Sequence, residues 1–377
     1  MESNLHSLTA KGSRALNQLK GGHLRIASPD LNVEIRVKRP VFWTRMLLFK
    51  DMGLAEAYMY GDADCDDIPG FLRLFILNRE EFKMDSYVTS IISPSGDIMT
   101  TRANISAHYD IGSTMFTAFL SKDLNYLSAI FKDFNEYLQL SSSIQLETLE
   151  EAQARKMLNV ISKADFREGR HVLEIGAEGI AILAAQKTGC SVETHMLSSE
   201  QKELAEACIT HHFDRFISVE MMEHVERDFF EEYWRCVDWA LKECNAVRCV
   251  QVVTLPESSE LKGYDEDVDF IHKWVSIIVY VPKQYIDDLL FPGGSLLSFN
   301  LLISSMTNGS KGHLTTDSNG NGDVIAPALR LQYNLLEEDL EIFRWKWLCN
   351  DYCEVGFVTR ILGDHIISFT CENNVAL

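Results

Sequence analysis

Three short segments of this 377-residue chain carry residues that could do chemistry. The first lies in HVLEIGAEGIAILAAQ, residues 171–186, where apolar Val172, Leu173 and Ile175 read as a strand and Ile180, Leu183 and Ala184 recur at helical spacing. Gly176 and Gly179 stand at the junction, where glycine lets backbone approach a nucleotide-like cofactor, but Glu178 sits between them. The second segment is MLSSEQ, 196–201, and the third is SVEMMEH, 218–224. Each follows a predicted strand, and ligands of open α/β sheets bind beyond the carboxyl ends of their strands. A single glycine turn is weak evidence, because many structural βα turns look alike; three such ends in chain order are stronger. Plainer readings stand beside these. Glu223 and His224 could cap the next helix, Gln251 could be a satisfied core amide, and Met221 and Met222 read as core.

The elements that would position these segments follow from periodicity. GHLRIASPDLNVEIRVKR, 22–39, alternates apolar and polar residues around Ser-Pro-Asp and predicts a β-hairpin. Residues 41–80 and 123–165 read mostly as helices. From 170 onward strands alternate with helices: RHVLEIG, IAILAAQKTG, CSVETHML, SSEQKELAEACITHH, RFISVEM, RDFFEEYWRCVDWALKEC and VRCVQVVTL. That order implies a parallel sheet covered on both faces. Ser198 or Ser199 is placed to cap the helix of the second segment. TNGSKGHLTTDSNGNGD, 307–323, reads as a polar loop, and Pro292-Gly293-Gly294 as a tight turn.

Composition narrows the partners. The net charge of −20 argues against nucleic acid. Residues 1–50 are the exception, with nine Lys/Arg against three Asp/Glu, a local excess that could touch an anionic membrane surface or simply be a solvated basic face. No apolar run is long enough to span a bilayer, and the first 26 residues hold no apolar stretch of the secretory kind. The nine cysteines form no CxxC pair, so reduced thiols and a cytoplasmic setting are expected, with no metal site.

Several longer motifs carry a resemblance. They are GLAEAYMYGDADCDDI (53–68), HYDIGSTMFTAFLSKDLNYLSAIF (108–131), LETLEEAQARKM (146–157), FDRFISVEMMEHV (213–225), FPGGSLLS (291–298) and DYCEVGFVTRILG (351–363). In these the chain resembles the cyclopropane-fatty-acid synthase and mycolic-acid cyclopropane synthase family of S-adenosylmethionine-dependent methyltransferases. The resemblance implies an α/β fold, a Rossmann-like class I methyltransferase sheet over 101–377, with a small α+β accessory domain over 1–100. It implies methyl transfer to a lipid alkene, then loss of a proton from the new methyl, with bicarbonate as the usual acceptor.

Carried over by position, the resemblance implies cofactor contacts from Tyr126, Glu174, Gly176, Ala177, Ser198 and Gln201. It implies catalytic roles for Glu223, for Ser128 at a position the family fills with cysteine, and for Gln251 at a position the family fills with histidine. Ile325 falls where a tyrosine is expected. The link from Gln201 to FDRF is shorter than the family pattern, and VSIIVYVPKQYIDDLL is inserted before FPGG. The expected substrate is a lipid or polyene small molecule, with a homodimer and weak peripheral membrane contact as further expectations. Glu178 and the altered residues at 128 and 325 keep open a non-methylating cyclase on the same scaffold, and the short link after Gln201 a pseudoenzyme with a damaged cofactor site.

Overall fold

The computed structural model describes residues 22–27, 32–77, 125, 128–132, 147–176, 178–195, 212–225, 227–257, 296–316, 323–324, 355–357, 359 and 362–371. The chain divides into two compact units, one of residues 1–94, 263–277 and 335–359, the other of 95–262, 278–334 and 360–377.

The first unit holds the predicted hairpin. Strands β1 (Gly22–Ala27) and β2 (Asn32–Val37) pair antiparallel, and β3 (Ala63–Cys65) adds to the far side of β2. The alternation of β2 explains its placement. Val33, Ile35 and Val37 are buried while Arg36 is exposed, as a period of two demands. Helices α1 (Val41–Met59) and α2 (Ile68–Leu77) cover that face with Phe42, Leu54, Ala57 and Phe71. Strand β3 lies inside the stretch read from sequence as mostly helical. Arg45 bonds Glu56 at 2.9 Å and the buried Asp62 at 3.0 Å, tying the ends of this segment together.

The second unit is a three-layer sandwich. Its strands are β4 (His171–Ile175), β5 (Ser191–His195), β6 (Arg215–Val219), β7 (Val247–Leu255), β8 (Leu297–Ser298), β9 (Leu314–Thr316), β10 (Asp323–Val324) and β11 (Gly363–Cys371). The sheet order is β10-β11-β7-β6-β4-β5. Strands β5, β4, β6 and β7 are parallel, as alternating strands and helices require, and β11 enters antiparallel beside β7.

Consecutive residues of each strand face opposite layers. Val172, Ile217, Cys249 and Ile366 pack with α3 (Leu149–Lys163) and α4 (Glu178–Thr188). Leu173, Phe216, Val250, Ile367 and Phe369 pack with α5 (Phe230–Ala240) and α6 (Phe299–Gly309), around the fully buried Trp234. Near-continuous apolar strands are the mark of a sheet covered on both sides. One buried charge stands at its amino-terminal edge. Arg215 pairs with Asp165 at 2.7 Å and donates to the carbonyls of Asp165, Asp214 and Asn245, so its guanidinium is well supplied with acceptors.

Two sequence expectations are corrected. Helix α3 begins at Leu149 behind a Thr148–Glu151 capping box, and 128–132 are irregular rather than helical. The reason is that side chains elsewhere take the backbone donors: the Ser128 and Lys132 N–H groups donate to the side chains of Glu220 and Glu147. The stretch 307–323 is not simply a loop, since α6 runs to Gly309 and β9 pairs antiparallel with β11. Among the described residues no helix is long and apolar enough to cross a membrane.

Candidate functional site

The site grows from the carboxyl ends of β4, β6 and β7. Strand β4 is followed by Gly176 at φ +100°, a conformation that side-chain-bearing residues resist. A Cβ there would lie 2.5 Å from Met221 Cγ and 3.4 Å from the Val219 carbonyl oxygen. A Cβ on Gly179, in the first turn of α4, would lie 2.2 Å from Asn125 Oδ1. Gly176 is therefore required by its own backbone, whatever else approaches it, while at Gly179 the end of the Asn125 side chain would have to move. Glu174 on β4 is fully buried.

Between Val219 and Met221 stands Glu220, in left-handed backbone at φ +49°. A non-glycine residue held there stores strain of about 1–3 kcal/mol, a feature concentrated at functional sites. The Glu220 N–H donates to the Gln251 carbonyl at 2.8 Å. Its Oε1 accepts two bonds of 2.8 Å, from the Ser128 N–H and from Gln251 Nε2. The same Gln251 nitrogen donates at 2.7 Å to Asp364 Oδ2 on β11. Carboxylates on two sides fix the orientation of this amide, because only its nitrogen can donate to them. Gln251 is 1% exposed and Asp364 0%, whereas Glu220 is half-buried.

Glu223 follows in a short 3-10 turn, Met222–His224. Its Oε1 accepts the Val253 N–H of β7 at 2.5 Å, so the side chain reaches across to the sheet and does not cap the following helix. Its Oε2 and the Gln251 Oε1 are buried without a hydrogen-bond partner. Burial, with the charges of Glu220 and Asp364 beside it, holds the Glu223 carboxyl well above the usual carboxylate range. Burial and Glu220 push Asp364 up in the same way, while Gln251, Ser128 and the buried Lys156 of α3 draw it part of the way back. Tyr233 of α5 lies beside Ser218 and Glu223, its hydroxyl raised by burial. Burial alone lowers His224 to about 4, so its ring is neutral at pH 7.

Of the residues singled out in the sequence, Ser128 and Gln251 meet at one carboxylate, and Glu223 lies within electrostatic range of it. Gly176 joins them through Met221. Glu174 lies on the same strand as that turn. Tyr126, Ala177, Ser198, Gln201 and Ile325 lie outside the described residues. Sequence reasoning passed over Glu220, Asp364 and Lys156. Glu220 stood inside SVEMMEH, and Asp364 directly follows DYCEVGFVTRILG; each reads alone as an ordinary acidic residue at a strand end. Among the described residues no cluster of His, Cys, Asp and Glu is arranged to hold a metal ion.

Known proteins agree with this frame. The family described as mycolic acid cyclopropane synthetase matches residues 97–212. The chain is 29% identical over 233 residues to the cyclopropane-fatty-acyl-phospholipid synthase of Escherichia coli K12, covering 55% of this chain and 58% of that protein. In these matches the chain is similar to cyclopropane synthases. The match spans little more than half the length of that relative. A second relative, the tuberculostearic acid methyltransferase UfaA1 of Mycobacterium tuberculosis, is 25% identical over 325 residues, covering 79% of this chain and 68% of its own. The fold is that of the cyclopropane synthase MmaA2 from Mycobacterium tuberculosis, with a TM-score of 0.52 at 17% identity, over 74% of this chain and 98% of that one. It is a Rossmann-like α/β sheet. The family match ends at 212, before Glu220, Glu223, Gln251 and Asp364.

Proposed function

We propose that the protein transfers a methyl or methylene group from S-adenosylmethionine to an alkene carbon of a lipid or lipid-like metabolite. The observation that carries this reading is the acidic site of Glu220, Glu223 and Asp364 next to the Gly176 turn. A cationic cofactor and a cationic transition state fit such surroundings. S-adenosylmethionine supplies an electrophilic methyl group on a positively charged sulfur. Glu174 and Gly176, with Tyr126, Ala177, Ser198 and Gln201, are the residues proposed to hold it. Residues 101–377 would carry the reaction and 1–100 would be accessory. A bilayer source for the alkene suits the basic segment 1–50, through weak peripheral contact from the cytoplasmic side; a homodimer is compatible with this arrangement.

Glu223, fixed by the Val253 N–H, orients the group that takes the proton. The buried apolar walls of β6 and β7 exclude water, which would otherwise quench a carbocation. Bicarbonate fits this site poorly. The donors that would bind it already serve the protein's own carboxylates: the Ser128 N–H and Gln251 Nε2 hold Glu220, and Gln251 Nε2 also holds Asp364. The Gln251 Oε1, buried without a partner, is an acceptor that repels an anion.

The test incubates the purified protein with S-adenosylmethionine and vesicles of an unsaturated phospholipid. Cofactor-dependent gain of one carbon by the acyl chain is expected, and Glu223→Gln should lower turnover about a hundredfold while leaving cofactor binding unchanged. No carbon gain with any alkene lipid would refute the reading. A second reading, a non-methylating cyclase, is favoured by Met221 and Asn125 against the two glycines; rearrangement of a polyene without S-adenosylmethionine would select it.

A further inference from the structure

We propose that this chain supplies its own proton acceptor, the Glu220 carboxylate, where the family pattern relies on bound bicarbonate. The inference rests on the methyl-transfer reading above and adds the residue that completes it. Three features of the site converge on Glu220. It is the half-buried acid of a group whose other members, Glu223 and Asp364, are enclosed, so a substrate can reach it. Its Oε1 is aimed by two hydrogen bonds from elements far apart in the chain, Ser128 and β7. Its backbone is held in a strained left-handed conformation between the two residues that pack against the glycine turn. An acidic group alone would not identify a site. The Gln251 amide oxygen, 1% exposed and without a donor, is the independent sign that a donor or a positive charge enters this space.

The step balances as written. After methyl transfer the lipid carries a carbocation. A C–H bond of the new methyl breaks, its electron pair closes the third C–C bond of the ring, and the proton passes to a Glu220 oxygen and then to water. If the proton is lost instead from the neighbouring chain carbon, the electron pair of that C–H bond forms an alkene and the product is a methyl-branched alkene. Glu223 and Asp364 surround the acceptor, with the Lys156 ammonium acting on Asp364.

The left-handed backbone makes Glu220→Gly the informative variant, because glycine adopts that conformation without strain and leaves space where the carboxylate stood. Turnover on unsaturated phospholipid vesicles is measured in buffer stripped of carbon dioxide and again with added bicarbonate. Wild-type turnover should be the same in both. Glu220→Gly should lose about a hundredfold in stripped buffer and recover with bicarbonate, which can enter the vacated space. Glu220→Gln should lose as much. Carbon-13 line broadening of labelled bicarbonate should appear with Glu220→Gly and not with wild type, a readout independent of turnover. Wild-type turnover that rises with bicarbonate, or Glu220→Gly and Glu220→Gln that keep full turnover in stripped buffer, overturns the inference alone. Absence of turnover in every buffer overturns the methyl-transfer reading and this inference with it.

Discussion

Gly176→Ala tests whether the glycine turn is a packing requirement of the protein itself. The new Cβ would sit 2.5 Å from Met221 Cγ and 2.8 Å from its sulfur, on backbone at φ +100°. Backbone strain in that region contributes about 1–3 kcal/mol. Overpacking against Met221 contributes another ~1–3 kcal/mol, less if the flexible thioether swings aside. Together they predict a loss of about 2–6 kcal/mol, a large fraction of the roughly 5–15 kcal/mol that holds a typical domain. Urea unfolding of wild type, Gly176→Ala, Met221→Ala and the double variant separates the two contributions. Removing the Met221 side chain should relieve the clash but not the backbone strain, so Gly176→Ala should remain destabilising in the Met221→Ala background, by about 1–3 kcal/mol. Wild-type stability for Gly176→Ala would refute both parts of the argument. Strictly additive effects would show that Met221 is not the neighbour that excludes a side chain.

Two further outcomes follow from buried charge. Asp364 binds its proton more tightly folded than unfolded, so its contribution to stability is present at low pH and is lost as pH rises through and above the ordinary carboxyl range near ~4. Thermal melting against pH should show that decline, and Asp364→Asn should reduce its slope without abolishing it, because burial and Glu220 raise Glu223 as well; an unchanged slope would count against the buried acid pair. Asp165→Asn removes the countercharge of the buried Arg215 and should cost about 3 kcal/mol in urea unfolding, the low end for breaking a buried pair, since Asp165 is partly exposed and the guanidinium keeps three carbonyl acceptors.

The layered fold was legible because it is written in local periodicity. Val172 and Leu173, Phe216 and Ile217, and Cys249 and Val250 are adjacent apolar pairs whose members must face opposite sides of a strand, so each strand calls for a helix layer above and below. Strand pairing was equally local: the hairpin strands 22–27 and 32–37 pair as expected, and the strand over 247–255 was read to the residue. The site was legible only in part. Resemblance marked Ser128, Gln251 and Glu223, and the chain does gather them. Their partners, however, come from distant segments: Ser128 bonds a residue 92 positions away, and Gln251 one 113 positions away. Even the irregular backbone of 128–132, expected as helix, depends on Glu220 and Glu147 taking N–H groups that a helix would have used. Burial pattern is a property of neighbouring residues and survives in the sequence. Which donor satisfies which carboxylate is decided only when the sheet brings β6, β7 and β11 side by side, and that pairing makes Glu220 the aimed, half-exposed acid of the group.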